Sequence, residues 1–249
     1  MKTVLITGAT SGIGKATAQL LAKNNYKLVL CGRREDRLQS LETELSKYTE
    51  VYTLSFDVRD KNEVLKNIQS LPSHFSDINV LINNAGNAHG LDPIQNGDLN
   101  DWDAMIDINV KGLLYVSNAI IPQMISRKSG HIINIGSTAA KEVYPNGNVY
   151  CASKHAVDAI NQGMRIDLNP YGIRVGAIHP GMVATEFSEV RFKGDTERAS
   201  KVYQGFSPLQ AEDIADIIHF VISRPYHVNI ADLIVMSTAQ ASSTIVKRE

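Results

Sequence analysis

The 249-residue sequence contains only two cysteines, Cys31 and Cys151, which lie far apart. Its first apolar run is too short for a secretory leader, so we expect reduced thiols and a soluble, cytoplasmic protein rather than a disulfide framework. An excess of one charge is also lacking, because 25 basic and 26 acidic residues leave a formal net charge of -1. We therefore expect no nucleic acid and no anionic membrane among the partners.

Long hydrophobic runs and metal-ligand spacings are absent as well. No stretch approaches the roughly 18 consecutive apolar residues that a membrane-spanning helix needs. The seven histidines form no ligand pattern with one another or with the cysteines, and His89 stands alone in a predicted loop. We expect neither a membrane span nor a bound metal.

What the sequence does contain is an alternation of short apolar runs with segments of helical periodicity. The runs are rich in β-branched residues and nearly continuous in apolar character, which is typical of strands buried on both faces. They lie at residues 4–6, 28–30, 51–54, 80–82, 132–135, 175–178 and 233–235. The alternation predicts an α/β fold: a single Rossmann-like, doubly wound domain over residues 1–249, with about seven parallel strands and helices on both faces.

One long stretch, residues 182–208, breaks this alternation with polar and charged residues. Long connections inside a compact domain are uncommon unless they serve a function, and mobile lids over binding sites are typical examples. The stretch predicts a substrate lid.

A glycine-rich segment, residues 7–14, follows the first predicted strand in the order Thr-Gly-x-x-x-Gly-x-Gly. Glycine lets a backbone approach a pyrophosphate closely, and a helix starting near Ser11 or Gly12 points its free amides at the phosphates. A P-loop is the neighbouring alternative, but it fails because Ala9 stands at its first glycine position and Ala16 replaces the magnesium-binding Ser or Thr. The segment therefore predicts a dinucleotide site.

The second predicted strand ends at residues 30–34 in Leu-Cys-Gly-Arg-Arg, with no acidic residue at that end. An NAD enzyme of this fold usually presents Asp or Glu there to the ribose 2′-hydroxyl, whereas guanidinium groups suit a 2′-phosphate. A solvated arginine pair beside Glu35 and Asp36 is the other interpretation. We predict that Arg33 and Arg34 select NADP(H) over NAD(H).

Together with further segments, these features make the sequence similar to the short-chain dehydrogenase/reductase family over essentially its whole length. The further segments are Asn83-Asn84-Ala85-Gly86, Asn109, Ser137, Tyr150 with Lys154, and Pro-Gly-Met-Val-Ala-Thr at residues 180–185. The resemblance implies catalytic roles for Asn109, Ser137, Tyr150 and Lys154, with NADP(H) as cofactor. Residues of the glycine motif, of strand ends and of the family segments are expected to contact that cofactor: Gly8, Thr10, Ser11, Gly12, Ile13, Gly14, Arg33, Arg34, Asp57, Val58, Asn83, Ala85, Gly86, Tyr150, Lys154, Pro180, Gly181, Val183 and Thr185.

The implied chemistry is hydride transfer coupled to proton exchange. Tyr150 and Lys154 are four residues apart in a predicted helix, so the ammonium can lie near the phenol and lower its pKa from about 10. Ser137 would hold the substrate oxygen by a hydrogen bond while Tyr150 takes or gives the proton. Lys154 also binds the nicotinamide ribose by family analogy. Asn109 is a poor helix former in a helical pattern, which predicts a local kink and a bound water that relays protons to Lys154.

Residues 181–195, 87–90 and 147–150 resemble the subgroup of the family that oxidises 3-hydroxy acids of the serine, allo-threonine and 3-hydroxypropionate types. Because such small-molecule substrates carry a carboxylate, we hypothesise that Arg191 pairs with it, and that Ser137 and Tyr150 hold the reacting oxygen. A surface arginine in a charged loop, near Glu189 and Lys193, is the alternative interpretation of Arg191.

Two other functions stay open at this point. A reductase of 3-oxoacyl groups on a carrier would need a basic docking patch, for which the sequence offers only Arg127 and Lys128. A non-catalytic NADP-binding protein is compatible with the same fold, although the complete catalytic set argues against it. The family commonly forms homotetramers, for which the helix at residues 152–168 and the apolar segment 230–236 offer contact surfaces.

Overall fold

A computed structural model describes all 249 residues and contains one seven-stranded sheet. The strands are β1 (Lys2–Thr7), β2 (Tyr26–Gly32), β3 (Val51–Ser55), β4 (Ile78–Asn83), β5 (Gly130–Ile135), β6 (Ile173–Pro180) and β9 (Asp232–Val235), while β7 (Val183–Ala184) and β8 (Leu209–Gln210) form a separate pair. The strand order is β3-β2-β1-β4-β5-β6-β9, and all its pairings are parallel. The predicted strands and the doubly wound parallel sheet are confirmed.

Helices pack against both faces of this sheet. They are α1 (Gly12–Lys23), α2 (Glu35–Leu45), α3 (Lys61–Gln69), α4 (Ser73–Ser76), α5 (Leu99–Ile106), α6 (Leu113–Arg127), α7 (Asn148–Leu168), α8 (Phe187–Arg191), α9 (Thr196–Lys201) and α10 (Ala211–Ser223). A π-helical turn, Asp107–Gly112, joins α5 to α6, and three short 3-10 turns lie at Ile94–Asn96, Thr138–Ala140 and Asn169–Tyr171.

The two faces of the sheet belong to two separate apolar clusters. Val4 and Ile6 of β1 pack in one cluster with residues of α1, α2 and α10, whereas Leu5 packs in the other with residues of α3 and α6. Successive strand residues point to opposite faces, so a strand covered on both sides has to be apolar throughout. Each fully buried side chain of this size contributes roughly 1.5–3 kcal/mol.

The edge strands depart from the predicted burial on both faces. In β3 only Leu54 is buried, and no residue of β9 is fully buried. Each of these strands has a neighbour in the sheet on one side only. Their apolar runs therefore indicated strands correctly but overstated how completely those strands are covered.

One helical run, Leu99–Arg127, is long enough and apolar enough to cross a membrane, with a mean hydropathy of 1.3 in its most apolar window. Val116, Ile120 and Met124 from this run are completely buried in the cluster that contains Leu5. Its apolar character is thus used in packing against the sheet.

The order of the strands decides where a ligand can bind. From β1 the chain passes first outward to β2 and β3 and then back across to β4 on the other side of β1. Loops that leave the carboxyl ends of β1 and β4 consequently diverge and leave a crevice between them, which is where doubly wound sheets bind their ligands.

Candidate active site

A cavity of about 600 Å³ occupies this crevice. Its wall combines the loop after β1, the carboxyl ends of β2 to β6, the predicted lid and the C-terminal segment. Most residues that the sequence singled out for the site line it: Gly8, Thr10, Ser11, Gly12, Ile13, Arg33, Arg34, Asp57, Val58, Ala85, Gly86, Ser137, Tyr150, Lys154, Pro180, Gly181, Val183, Thr185 and Arg191.

Asn83 was expected among the cofactor contacts, but the structure places its side chain inside the fold. It is 4% exposed, and its Nδ2 donates hydrogen bonds of 2.9 Å to Ser117 Oγ and to Asn134 Oδ1. Strand alternation explains the difference, because the last side chain of β4 points into the sheet packing and the next residue turns outward. Asn84 lines the cavity in its place.

The loop after β1 has the geometry that an anion needs. Gly8 and Gly12 adopt positive φ angles of 65° and 49°, which favour glycine. A Cβ atom on Gly14 would lie 2.3 Å from the carbonyl oxygen of Gly8, so Gly14 permits this tight turn although it does not line the cavity. Helix α1 begins at Gly12, as predicted, and its N-cap Ser11 makes no side-chain cap. The first amides of α1 remain available to a pyrophosphate.

Arg33 and Arg34 lie at the end of this cavity beyond β2. The guanidinium of Arg34 donates to Thr10 Oγ1 from Nε at 3.2 Å and from Nη2 at 3.0 Å, and its Nη1 lies 2.9 Å from Glu186 Oε2. Arg33 lies 3.6 Å from the Asp57 carboxylate, which is paired more closely with Arg59. Cations thus surround the position where an NAD enzyme would present a free acid, and the residues present fit a 2′-phosphate.

Tyr150 and Lys154 project from the first turns of α7 into the same cavity, and each is 7% exposed. Lys154 Nζ donates a 3.0 Å hydrogen bond to the Ile135 carbonyl oxygen and lies 6.0 Å from the centre of the Tyr150 ring. Ser137, which follows β5, lines the cavity together with Tyr150 and lowers the pKa of its phenol. The structure therefore brings the serine, tyrosine and lysine together as predicted.

The expected effect of Lys154 on the phenol is not what this geometry produces. Burial raises the pKa of Tyr150, Tyr144 adds to that increase, and Ser137 and Arg191 only partly oppose it. Burial also lowers the pKa of Lys154 to about 8. Removing both groups from water favours their neutral forms, and burial is the largest influence on the pKa of each. In this state Tyr150 is held ready to donate a proton.

Asn109 lies in the π-helical turn, so the predicted local distortion is present. The residue is 2% exposed and does not line the cavity. Its Oδ1 accepts from the Asn87 amide at 2.9 Å, and its Nδ2 donates to the Asn87 carbonyl oxygen at 2.8 Å and to Ser153 Oγ at 3.0 Å. A Cβ on Gly86 would lie 2.9 Å from Asn109 Oδ1 and 3.5 Å from Lys154 Nζ, which locates both atoms beside Gly86.

Arg191, on α8, faces the cavity rather than solvent. Its Nη2 donates a 2.7 Å hydrogen bond to the Tyr144 hydroxyl, and its Nε lies 3.2 Å from the Gly90 carbonyl oxygen. The guanidinium carbon lies 5.4 Å from the ring centres of both Tyr144 and Tyr150. No carboxylate pairs with it, whereas its neighbour Lys193 pairs with acidic residues. The Arg191 guanidinium, which has no anionic partner, is thus held beside Tyr144 and Tyr150.

Several residues of the cavity escaped the sequence analysis. Tyr144 and Glu186 contact arginines that lie 47 and 152 residues away in the chain. Phe187 packs on Tyr150 with ring centres 5.7 Å apart. Gln240, near the C-terminus, accepts a 2.9 Å hydrogen bond from the Met182 amide. No local pattern indicates such contacts, because each depends on how distant segments fold together.

Three residues of metal-ligand type meet elsewhere, although no such cluster was expected. Ligand atoms of Asp158, His179 and Asp232 lie within 4.8 Å of one another. The ammonium group of Lys141 lies 3.1 Å from Asp158 and 2.6 Å from Asp232. The lysine therefore supplies positive charge to this cluster.

Residues 2–196 match the family model described as short chain dehydrogenase. The chain belongs to the short-chain dehydrogenase/reductase family.

Its relatives include an NADP-dependent 3-hydroxy acid dehydrogenase of Salmonella typhi, 45% identical over 239 residues that cover 96% of each chain. A sulfoacetaldehyde reductase of Chromohalobacter salexigens is 45% identical over 96% of each chain, and a serine 3-dehydrogenase of Rhizobium radiobacter is 43% identical over 96% of this chain and 95% of its own. Among solved structures, the closed form of a serine dehydrogenase complexed with NADP+ superposes with a TM-score of 0.93, 41% identity, and coverage of 99% and 100%.

The burial of Lys154 predicts a specific pH dependence of stability. Its folded pKa of about 8 lies below its ordinary value of 10.5, so the unfolded chain binds more protons between these pH values. Stability should therefore rise with pH through this window. We expect Lys154→Met to raise the free energy of unfolding at pH 7 by about 2 kcal/mol, because each pKa unit is worth about 1.4 kcal/mol and the lost hydrogen bond costs about 1.

Urea unfolding at a series of pH values measures this effect, and the advantage of Lys154→Met over wild type should be lost as the pH rises from 8 towards 10.5. Lys66→Met, at an exposed position of α3, is the matched control and should change little. A Lys154→Met variant that is less stable than wild type at pH 7, or a gap independent of pH, contradicts the assignment.

Proposed function

We propose that this protein is an NADP(H)-dependent oxidoreductase that transfers a hydride between the cofactor and a small 3-hydroxy acid or its 3-oxo form. The observation that carries the proposal is the arginine without an anionic partner, Arg191, held 5.4 Å from the ring of Tyr150 in the cavity. A substrate that places its hydroxyl at Tyr150 can place its carboxylate at Arg191. Relatives named for 3-hydroxy acid and serine dehydrogenation support this substrate class.

The cofactor would be held along the length of the cavity. The loop after β1 and the first amides of α1 receive the pyrophosphate, Arg33 and Arg34 receive the 2′-phosphate, and Lys154 receives the nicotinamide ribose. When bound, the nicotinamide supplies or accepts the hydride.

The chain's own contribution to the reaction is to hold the substrate oxygen and to move its proton. Ser137 and Tyr150 both bind that oxygen, and Tyr150 donates its proton during reduction and accepts one during oxidation. Its raised pKa keeps the phenol protonated at neutral pH, so the proton is present on Tyr150 when reduction begins. Asn109 stabilises the backbone beside Lys154 and, through a bound water, connects the lysine to solvent.

Substrate selection then rests on Arg191 and Tyr144. A guanidinium offers paired N–H donors that match the geometry of a carboxylate, and the Tyr144 hydroxyl extends this donor set. A second candidate substrate class is a sulfonate, because these two side chains present several donors to one anion and a relative is named as a sulfoacetaldehyde reductase. Both classes pair an anionic head with a carbonyl or hydroxyl carbon.

Residues 182–208 act in this proposal as a substrate lid on a single domain spanning residues 1–249. Phe187, Arg191 and Tyr203 of this stretch line the cavity. Its base is held by the Tyr203 hydroxyl, which donates a 2.8 Å hydrogen bond to the Val183 carbonyl oxygen. Such a cover excludes water from the site during proton exchange.

A panel of 3-hydroxy acids with NADP+, each enantiomer tested separately, is the direct test of the function. We expect oxidation of at least one 3-hydroxy acid with kcat/KM well above that for neutral alcohols, and we expect Tyr150→Phe to abolish turnover. NADPH affinity, measured by fluorescence titration, should stay nearly unchanged in that variant. Substantial turnover by Tyr150→Phe contradicts its role as the proton donor, and preference for hydroxysulfonates selects the second substrate class.

Arg191→Ala tests how the acid is recognised. Loss of hydrogen bonds to a charged group costs about 1.5–3 kcal/mol, so KM for the hydroxy acid should rise by about 10- to 100-fold. For a neutral alcohol, KM should change little. Arg198→Ala is the control, because Arg198 also lies in the lid stretch but does not line the cavity. Equal changes for acid and alcohol rule out a carboxylate contact.

We also propose that the protein is a cytoplasmic homotetramer. Ile166 on α7 is 72% exposed, and Ile234 and Met236 around β9 are 49% and 38% exposed. Association that covers these side chains removes apolar surface from water.

Light scattering should therefore give a mass of about four 27.3 kDa chains. Ile166→Asp should shift it to a smaller assembly, because a charge at a buried interface is costly. A wild-type monomer contradicts the proposal, and Ile94→Asp, at an exposed site outside both surfaces, is the control.

A further inference from the structure

Three consecutive residues at the start of the lid contact three different parts of the site. A Cβ atom on Gly12 would lie 3.2 Å from the side chain of Thr185, so this threonine packs on the glycine-rich loop. Glu186 pairs with arginines beyond β2, and Phe187 packs on the ring of Tyr150. The segment Thr185–Phe187 thus joins the expected phosphate end of the cavity to the catalytic end.

Glu186 bridges two arginines. Its Oε2 lies 2.9 Å from Arg34 Nη1, and its Oε1 lies 2.7 Å from Arg37 Nη1. Burial opposes ionisation of this carboxyl, but the hydrogen bonds from Arg34 and Arg37 hold its pKa below the ordinary value. Glu186 is therefore an anion at neutral pH, and it pairs with Arg34 and Arg37 at the end of the cavity beyond β2.

A 2′-phosphate would need the same donors. Two donor atoms of Arg34, Nε and Nη2, already donate hydrogen bonds to Thr10. The third, Nη1, is the atom that contacts Glu186. A phosphate monoester carries about -1.5 to -2 charges at pH 7, so a carboxylate on the same guanidinium repels it. The carboxylate and the phosphate consequently compete.

We propose that Glu186 is a placeholder for the 2′-phosphate of NADP(H), which holds Arg34 and Arg37 until the phosphate displaces it. This inference rests on the proposed binding of that phosphate at Arg34. Because Glu186 directly precedes α8, its displacement moves the start of the helix that carries Phe187 and Arg191. The phosphate then binds more tightly to the state in which Glu186 is displaced than to the state in which it pairs with Arg34. Occupation of the phosphate site and the position of the lid are therefore linked.

The test compares two probes that differ only by the 2′-phosphate, 2′,5′-ADP and 5′-AMP, titrated by calorimetry into the full-length protein. We expect Glu186→Gln to bind 2′,5′-ADP about three- to tenfold more tightly than wild type, the range that follows from breaking two half-exposed ion pairs. The affinity for 5′-AMP should change by less than about twofold on the same grounds. Unchanged or weaker binding of 2′,5′-ADP by Glu186→Gln overturns the proposal.

Glu189→Gln provides the matched control, because it removes the same charge three residues further along the chain, within α8. Glu189 is exposed and makes no ion pair. It should leave both affinities unchanged. If Glu189→Gln tightens 2′,5′-ADP binding as much as Glu186→Gln does, the net negative charge of the lid explains the result. The proposal that Glu186 is a placeholder is then wrong.

Arg34→Ala separates failure of this inference from failure of the phosphate site itself. If it weakens 2′,5′-ADP but not 5′-AMP and Glu186→Gln has no effect, only the placeholder is overturned. If Arg34→Ala leaves 2′,5′-ADP binding intact, the phosphate does not bind at Arg34, and both ideas fail together.

Hydrogen exchange of the lid amides tests the link to α8. We expect 2′,5′-ADP to change the exchange of residues 185–191 in wild type, whereas 5′-AMP should not. In Glu186→Gln the lid should already resemble the liganded wild type and respond little to 2′,5′-ADP. An equal response to both probes in wild type contradicts the displacement of Glu186.

Discussion

The burial of a tyrosine and a lysine on one face of α7 is the constraint on which the rest of the site depends. Neither Tyr150 nor Lys154 can be kept out of water without polar partners, and each finds them on a neighbouring element. The carbonyl oxygen of Ile135 at the end of β5 accepts from the ammonium group, and Ser137, in the following turn, lines the cavity beside the phenol and lowers its pKa. The parallel sheet is what brings a strand end to this face of the helix.

The same constraint explains the electrostatics of the cavity. Desolvation raises the pKa of the phenol and lowers that of the ammonium, so the protein holds a proton on Tyr150 when no further charge is present. A second cation near the ring, besides Lys154, is Arg191 of α8. The position of Arg191 therefore affects the phenol, because the guanidinium opposes the increase in the phenol's pKa.

Residues 186–191 also connect the two positions at which we propose that anions bind. Glu186 lies on the arginines at one end, and Arg191, five residues later, lies beside Tyr144 and Tyr150 at the other. Only one turn of helix, α8, separates them. An anion that binds at Arg34 is consequently one helical turn away from the residues that we propose bind the substrate. The sheet does not have to move for the two ends of the cavity to be connected.

Much of this architecture was determined by the sequence alone, for local reasons. Apolar runs of the right length specify strands, the glycines specify a turn that only they can adopt, and four-residue spacing places Tyr150 and Lys154 on one face of a helix. Tertiary structure decided the rest: that edge strands are half covered, that Asn84 rather than Asn83 reaches the cavity, that burial raises the pKa of the phenol, and that Glu186 pairs with Arg34. These outcomes depend on the exclusion of solvent and on contacts between residues far apart in the chain. Both arise only when the chain has folded.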